Sequence, residues 1–96
     1  MPENMEMYLG EVRDIQFTIS SRNRQPFTIR NLSWELRHGD VVEATGTAEA
    51  VEGPERKSYT VTVTVAPETA DFYLVVLRFD VADEHLISKK NLIVKE

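Results

Sequence analysis

The sequence contains no cysteine, only four glycines and four prolines, and no long apolar run. Without cysteine, neither a disulfide framework nor a thiolate metal site can form. No segment approaches the roughly 20 consecutive apolar residues of a transmembrane helix. The low glycine and proline content, together with 42% hydrophobic residues, argues against a disordered or low-complexity chain. The 96 residues predict one folded domain spanning residues 1–96.

An excess of positive charge is also lacking. Lysine and arginine together number 11 against 16 acidic residues, which gives a net charge of −5. Because phosphate binding needs a positive surface, we expect no nucleic-acid partner. The first ten residues lack a basic segment followed by an uninterrupted apolar stretch. We therefore expect no signal peptide, no membrane partner and a location in the cytoplasm or in a virus particle.

Strict alternation of apolar and polar residues is the strongest pattern present. In residues 59–65 (YTVTVTV) every second residue is apolar, and the same period of two occurs in residues 15–20 and 32–37. This period places one set of side chains in a core and the other in water, as in a β-strand. In residues 72–81 the second face is partly apolar as well, which is typical of a central strand.

Turn signals separate about seven such segments. The clearest are residues 38–40 (HGD), 52–57 (EGPERK) and 82–85 (ADEH), and Gly46 predicts a bulge or bend. We expect an all-β fold, specifically a two-sheet antiparallel immunoglobulin-like sandwich of about seven strands. A five- or six-stranded barrel is the alternative.

Two segments resemble immunoglobulin-like or fibronectin-like modules. Trp34 lies in the third predicted strand, where such modules bury an aromatic residue. Residues 67–73 (PETADFY) resemble a tyrosine corner, in which the tyrosine hydrogen-bonds to backbone a few residues upstream, with either Phe72 or Tyr73 as the corner aromatic.

The order of the segments is similar to that of small immunoglobulin-like modules in bacteriophage tail and baseplate proteins. The similarity includes a strand pair, a proline-containing loop, the tryptophan strand, VVEATG and then YTVTVTVAPETADFYLVVLRF. This resemblance implies a structural or adhesive role in a virion and no catalysis.

Two groups of residues are candidates for an interaction surface. The first is the second apolar face of residues 72–81, which would bind another protein or a second copy if nothing covers it. The second is a basic group in residues 15–34, a stretch without any acidic residue that suits an acidic face of another protein. The members are Phe72, Leu74 and Val76 in the first group and Arg22, Arg24 and Arg30 in the second.

Residues for catalysis or metal binding are not grouped in any recognisable way. His38 and His85 both fall in predicted turns, and neither has a serine or an acid at the spacing of a nucleophile or a metal site. Asp80, Asp83 and Glu84 lack the spaced oxygen ligands of a calcium loop. We therefore expect no enzyme activity, no metal and no cofactor.

The expected function is that of a structural or protein-interaction module, with other proteins or a second copy as partners. The alternative is a glycan-binding or adhesion module. In that alternative Phe27 and Tyr8 are the aromatic residues that would contact a sugar.

Overall fold

The computed structural model describes residues 4–21, 24–48 and 58–96, and in these ranges the chain forms seven β-strands and no helix. The all-β prediction is confirmed. The predicted turn at residues 52–57 and the candidate residue Arg22 lie outside the described residues. The strands are β1 (Asn4–Tyr8), β2 (Arg13–Ser20), β3 (Ile29–His38), β4 (Val41–Thr47), β5 (Ser58–Val65), β6 (Phe72–Val81) and β7 (Glu84–Lys95).

The strands form two separate sheets rather than one closed barrel. The larger sheet has five strands in the order β1-β7-β6-β3-β4, and the smaller one pairs β2 with β5. One pair departs from the antiparallel expectation, because β1 runs parallel to β7, from Asn4 opposite Asn91 to Tyr8 opposite Lys95. Because β1 and β2 belong to different sheets, β1 pairs with a strand distant in the sequence and not with β2. The chain crosses between the sheets after β1 instead of turning back as a hairpin.

One hydrophobic core lies between the inner faces of the two sheets. In β5 the tyrosine and the valines are buried and the alternating serine and threonines are exposed, as the period of two predicts. The chain around the start of β3 also packs inward, with Phe27 against the core and Ile29, the first residue of β3, inside it. The most buried core side chains are Met7, Ile15, Phe17, Leu36, Val61, Val63, Val65, Val75, Leu77 and Leu92.

A bulge interrupts the pairing of β3 with β4. Leu36 pairs with Ala44 but Arg37 pairs with Val42, so Glu43 is the extra residue. The predicted bulge or bend at Gly46 is wrong, because Gly46 lies inside β4. Its lack of a side chain serves packing instead, since a Cβ at this position would lie 2.8 Å from Nε1 of Trp34.

A second irregularity occurs where β3 pairs with β6. The register shifts between Arg30 and Ser33, and Asn31 adopts a φ of 55°. Asparagine tolerates this left-handed conformation better than most residues. The shift allows Ile29 and Leu32 both to pack on the core although they are an odd number of residues apart.

Both short hairpin turns occur where the sequence predicts them. Gly39, with a φ of 57°, lies in the turn between β3 and β4. Ala82, with a φ of 53°, lies in the turn between β6 and β7. The second turn places a residue with a Cβ in a conformation that favours glycine.

Candidate functional site

The apolar side chains predicted as an interaction surface lie on the face of the five-stranded sheet that points away from the core, here called the outer face. Their exposure decreases along β6. The side chain of Phe72 is 74% exposed, Leu74 is half-buried and Val76 is only 1% exposed. Phe72 is thus accessible to a partner and Val76 is not, which corrects the expectation for Val76.

The position of each residue in the sheet explains this difference. Val76 lies in the middle of the central strand, directly between Glu35 on β3 and Lys89 on β7. Long charged side chains cover neighbouring apolar surface with their aliphatic parts while their charged ends stay in water. Phe72 is the first residue of β6, and the pairing of β6 with β3 ends at Leu74, so Phe72 has a neighbour only on the β7 side.

Phe72, Leu74 and Ile93 form what we call the Phe72 patch. Ile93 is half-buried and lies directly opposite Phe72 on β7. An exposed aromatic ring beside two half-buried aliphatic side chains is the composition found at the centre of protein interfaces.

Charged residues border the Phe72 patch on two sides. Glu6 lies opposite Ile93 on β1, and its carboxylate is 3.2 Å from Nζ of Lys95. Arg37 lies opposite Leu74 on β3. An apolar centre with a charged rim is typical of a surface that binds another protein.

The two described members of the predicted basic group, Arg24 and Arg30, are not part of this patch. Arg30 lies opposite Asp80 near the far end of β6, and its guanidinium donates to the carbonyl of Ala82 at 3.0 Å. Arg24 is exposed and has a φ of 59°. Arg30 therefore holds the β6–β7 turn and lies beside an acidic residue of β6.

A polar cluster around Asp80 connects β3 to the β6–β7 hairpin. The Asp80 carboxylate accepts a hydrogen bond from Nδ2 of Asn31 at 2.8 Å and is 2.6 Å from Nδ1 of His85. The hydrogen bond from Asn31, followed by that from His85, lowers the pKa of the Asp80 carboxyl below its usual value. His85 is thus a partner of Asp80 and not an isolated surface residue.

A second polar cluster forms at the opposite end of β6 around His38. Its Nδ1 is 3.3 Å from Asp71 and its Nε2 is 3.6 Å from Glu43. The imidazole ring also lies against the ring of Tyr73, with the ring centres 4.9 Å apart. His38 thereby joins the β3–β4 turn to the connection that leads from β5 into β6.

Glu43 is the centre of this cluster. Its Oε1 accepts a hydrogen bond from the hydroxyl of Tyr73 at 2.7 Å. Its Oε2 accepts a hydrogen bond from the backbone N–H of Glu68 at 3.2 Å. Burial, with a smaller contribution from the hydrogen bond to Glu43, raises the pKa of Tyr73 to about 12. The phenol is therefore protonated at neutral pH and acts as a hydrogen-bond donor, which suits a structural role.

Sequence reasoning did not group His38 with Glu43, Asp71 and Tyr73. The four residues come from three separate segments, and the bulge that re-aims Glu43 has no signal in the local pattern. The only available hint was the resemblance to a tyrosine corner. Thr69, four residues before Tyr73, lies close enough to the phenol to lower its pKa, against the larger effects of burial and Glu43.

The two aromatic residues of the glycan-binding alternative do not form a common surface. Tyr8 is 60% exposed and pairs with Lys95 at the end of β7. Phe27 is partly buried, packs edge-on against Tyr59 and lines a groove beside the first residues of β7. The two rings therefore lie near opposite ends of a strand that is twelve residues long.

That groove is a concave feature of the described part of the chain. It has a volume of about 730 Å³ and lies between the end of β2, the loop before β3 and the start of β7. Phe79 and Val81 line it together with Leu86 and Ile87. Its walls thus combine apolar side chains with polar ones from β2 and from the loop before β3, and one wall is the edge of the larger sheet.

Within residues 4–21, 24–48 and 58–96, no three histidine or acidic side chains are arranged to hold a metal ion. The same ranges include no helix with the length and apolarity that a membrane crossing requires. Comparison of the chain with protein-family models, curated proteins and solved structures finds no match.

Proposed function

We propose that this chain is a non-enzymatic protein-interaction module built on an immunoglobulin-like sandwich, and that it binds another protein through the Phe72 patch. The exposure of Phe72 is the observation that carries the proposal. Phe72 is 74% exposed, so in the isolated chain about three quarters of its side-chain surface stays in contact with water. A partner that covers Phe72 would remove this apolar surface from water, which favours binding by about 25 cal/mol of free energy per Å² buried.

The strand order supports the immunoglobulin-like part of the proposal. In such sandwiches the second strand pairs with the strand that precedes the last hairpin, and the remaining central strands form the other sheet. Here β2 pairs with β5, and β3, β6 and β7 are neighbours in the larger sheet. Thr69, four residues upstream of Tyr73, acts on the pKa of the phenol, a placement that agrees with a tyrosine corner, although the hydroxyl itself donates to the Glu43 carboxylate.

The polar clusters suit a structural role. Asp80 and Glu43 each accept hydrogen bonds from more than one element, and among the described residues no buried side-chain nitrogen or oxygen lacks a partner. Groups that are satisfied within the fold stabilise it. A catalytic group, in contrast, needs a free position beside it for the reacting atom.

Affinity capture with matched variants tests the proposal. The immobilised chain is exposed to a lysate of the cells that encode it, next to Phe72→Glu and to Val12→Glu. Val12 is a suitable control because it is also an exposed apolar residue, at 67%, but lies outside the Phe72 patch. We expect a discrete partner that wild type and Val12→Glu retain and Phe72→Glu loses. Equal capture by all three proteins, or none by any, would count against the proposal.

We further propose a virion as the setting of this module. The ground is the resemblance of VVEATG and of residues 59–79 to small modules of phage tail and baseplate proteins. Peptides of the chain should then co-sediment with purified particles in a density gradient. Their confinement to the soluble fraction would contradict this setting and leave the proposed binding surface unaffected.

A further inference from the structure

In the part of the chain that the structure describes, about half of β7 has no strand paired to its outer edge. The strand has twelve residues, but β1 pairs only with residues 91–95, and β6 occupies the other edge along nearly the whole length. Among the described residues, no strand pairs with the outer edge of residues 84–90. A row of unpaired backbone N–H and C=O groups is a template for a further strand.

The hydrogen bonds at the end of β7 show which backbone groups point outward. The Lys95 carbonyl accepts a hydrogen bond at 2.7 Å from the N–H of Leu9, the residue that follows β1. The Val94 N–H points to the other side, where it donates to the carbonyl of Asp71, just before β6, at 2.9 Å. The direction alternates along a strand. Residues 85, 87 and 89 therefore present their N–H and C=O groups to the outside.

We propose that this edge binds the same edge of a second copy, with the two β7 strands antiparallel about a two-fold axis through Ile87. This register uses the entire free span, because Ile87 is the middle residue of residues 84–90. It pairs Ile87 with Ile87 of the second copy through two reciprocal hydrogen bonds, and it pairs residue 85 with residue 89 in the same way. The contact is isologous and closes at a dimer.

The charges at the two ends of the free span fit this register. Glu84 lies opposite Lys90 of the second copy, and by symmetry Lys90 lies opposite Glu84, which gives two opposite-charge pairs. Lysines on an edge usually prevent strand pairing, since a lysine facing an apolar residue is left without a partner. If the two-fold axis passed through Leu86 or Ser88 instead of Ile87, Glu84 would no longer lie opposite Lys90. The two charges thus select one register.

The apolar side chains also fit. Ile87 is 54% exposed, and Leu86 lines the 730 Å³ groove together with Phe79. Leu86 of the second copy would lie opposite Ser88, on the groove side of the sheet, next to these apolar walls. Lys90 lies on the same side, where its ammonium donates to the Gln16 carbonyl and keeps further donors for Glu84 of the second copy.

Sedimentation velocity over a wide concentration series tests the proposal with charge-reversed variants. We expect the wild-type chain to form a dimer, and either Glu84→Lys or Lys90→Glu to weaken dimerisation on the order of tenfold or more, because both opposite-charge pairs become like-charge pairs. An equimolar mixture of the two variants should dimerise again, because each introduced charge then faces an opposite one. Ile87→Lys should also abolish the dimer.

A wild-type chain that remains monomeric throughout, or a dimer unaffected by Glu84→Lys and Ile87→Lys, would overturn the proposal. Circular dichroism establishes that each variant is folded, and Ile87→Lys and Glu84→Lys keep the test valid if Lys90→Glu does not fold. Phe72→Glu is the matched control, since the dimer edge does not include the Phe72 patch. Its dimerisation should equal that of wild type, so the outcome is independent of the function proposed for that patch.

Discussion

The hydroxyl of Tyr73 donates to Oε1 of Glu43 at 2.7 Å, and this bond joins the central strand β6 to the bulge in the edge strand β4. Tyr73 belongs to the buried core, while Glu43 also accepts the N–H of Glu68. The two residues thereby fix the end of the sheet at which the Phe72 patch lies.

Alkaline pH should weaken the fold through Tyr73. Burial raises the pKa of Tyr73 to about 12 from its ordinary value of 10.0, so the unfolded chain loses the proton first. Stability from this group is complete below pH 10 and is lost as the pH rises from 10 to about 12. Denaturant unfolding at several pH values should show a steeper alkaline decline for wild type than for Tyr73→Phe. Parallel declines would contradict this role.

Gly46→Ala should displace the only tryptophan. The added Cβ would lie 2.8 Å from Nε1 of Trp34, so the indole has to move. We expect a loss of about 1–3 kcal/mol in the free energy of unfolding. The Trp34 fluorescence should change as well. Thr47→Ala, at an exposed position of the same strand, should change stability by less than about 0.5 kcal/mol and leave the emission unchanged. Equal effects of both changes would be evidence against the packing of Trp34 on Gly46.

Two phenylalanines offer the same substitution in opposite environments. Phe17 is 1% exposed in the core and Phe72 is 74% exposed on the outer face. Phe17→Ala should cost about 3–5 kcal/mol of stability, and Phe72→Ala less than about 0.5 kcal/mol. Chemical denaturation of the two variants measures the difference. A large cost at Phe72 would mean that its ring supports the fold and is not kept for a partner.

Ala82→Gly should stabilise the β6–β7 hairpin. Ala82 has a φ of 53°, a left-handed conformation that costs a residue with a Cβ about 1–2 kcal/mol. Glycine avoids this cost but loses more conformational entropy on folding, about 0.5–1 kcal/mol, so the expected net gain is about 0.5–1 kcal/mol. Thermal unfolding measures it. Asp83→Gly is the control, because the neighbouring Asp83 has no positive φ and should gain nothing.

Local pattern predicted the elements of this fold well. The alternation in residues 59–65 needs no partner to be recognised, and the turn at Gly39 follows from a conformation that glycine favours. Local pattern does not predict the parallel pairing of β1 with β7, because the paired residues lie far apart in the sequence: Asn4 pairs with Asn91, 87 positions later. Pairing across such a distance depends on the whole topology.

The candidate site shows the same division. The second apolar face of β6 was visible as a pattern, and Phe72 is exposed as that pattern allowed. The burial of Val76 was not visible, because the local pattern does not show that Glu35 and Lys89 lie beside it on the flanking strands. The contact of His38 with Glu43 likewise depends on a bulge that shifts one side chain.

Site-specific photo-crosslinking in the cells that encode the chain tests the central claim most directly. Phe72 is replaced by p-benzoylphenylalanine, and in a parallel experiment the same group replaces Val12, which is exposed but lies outside the Phe72 patch. The account predicts a discrete protein adduct from position 72 and none of the same mass from position 12. No adduct from position 72, or the same adducts from both positions, would contradict it.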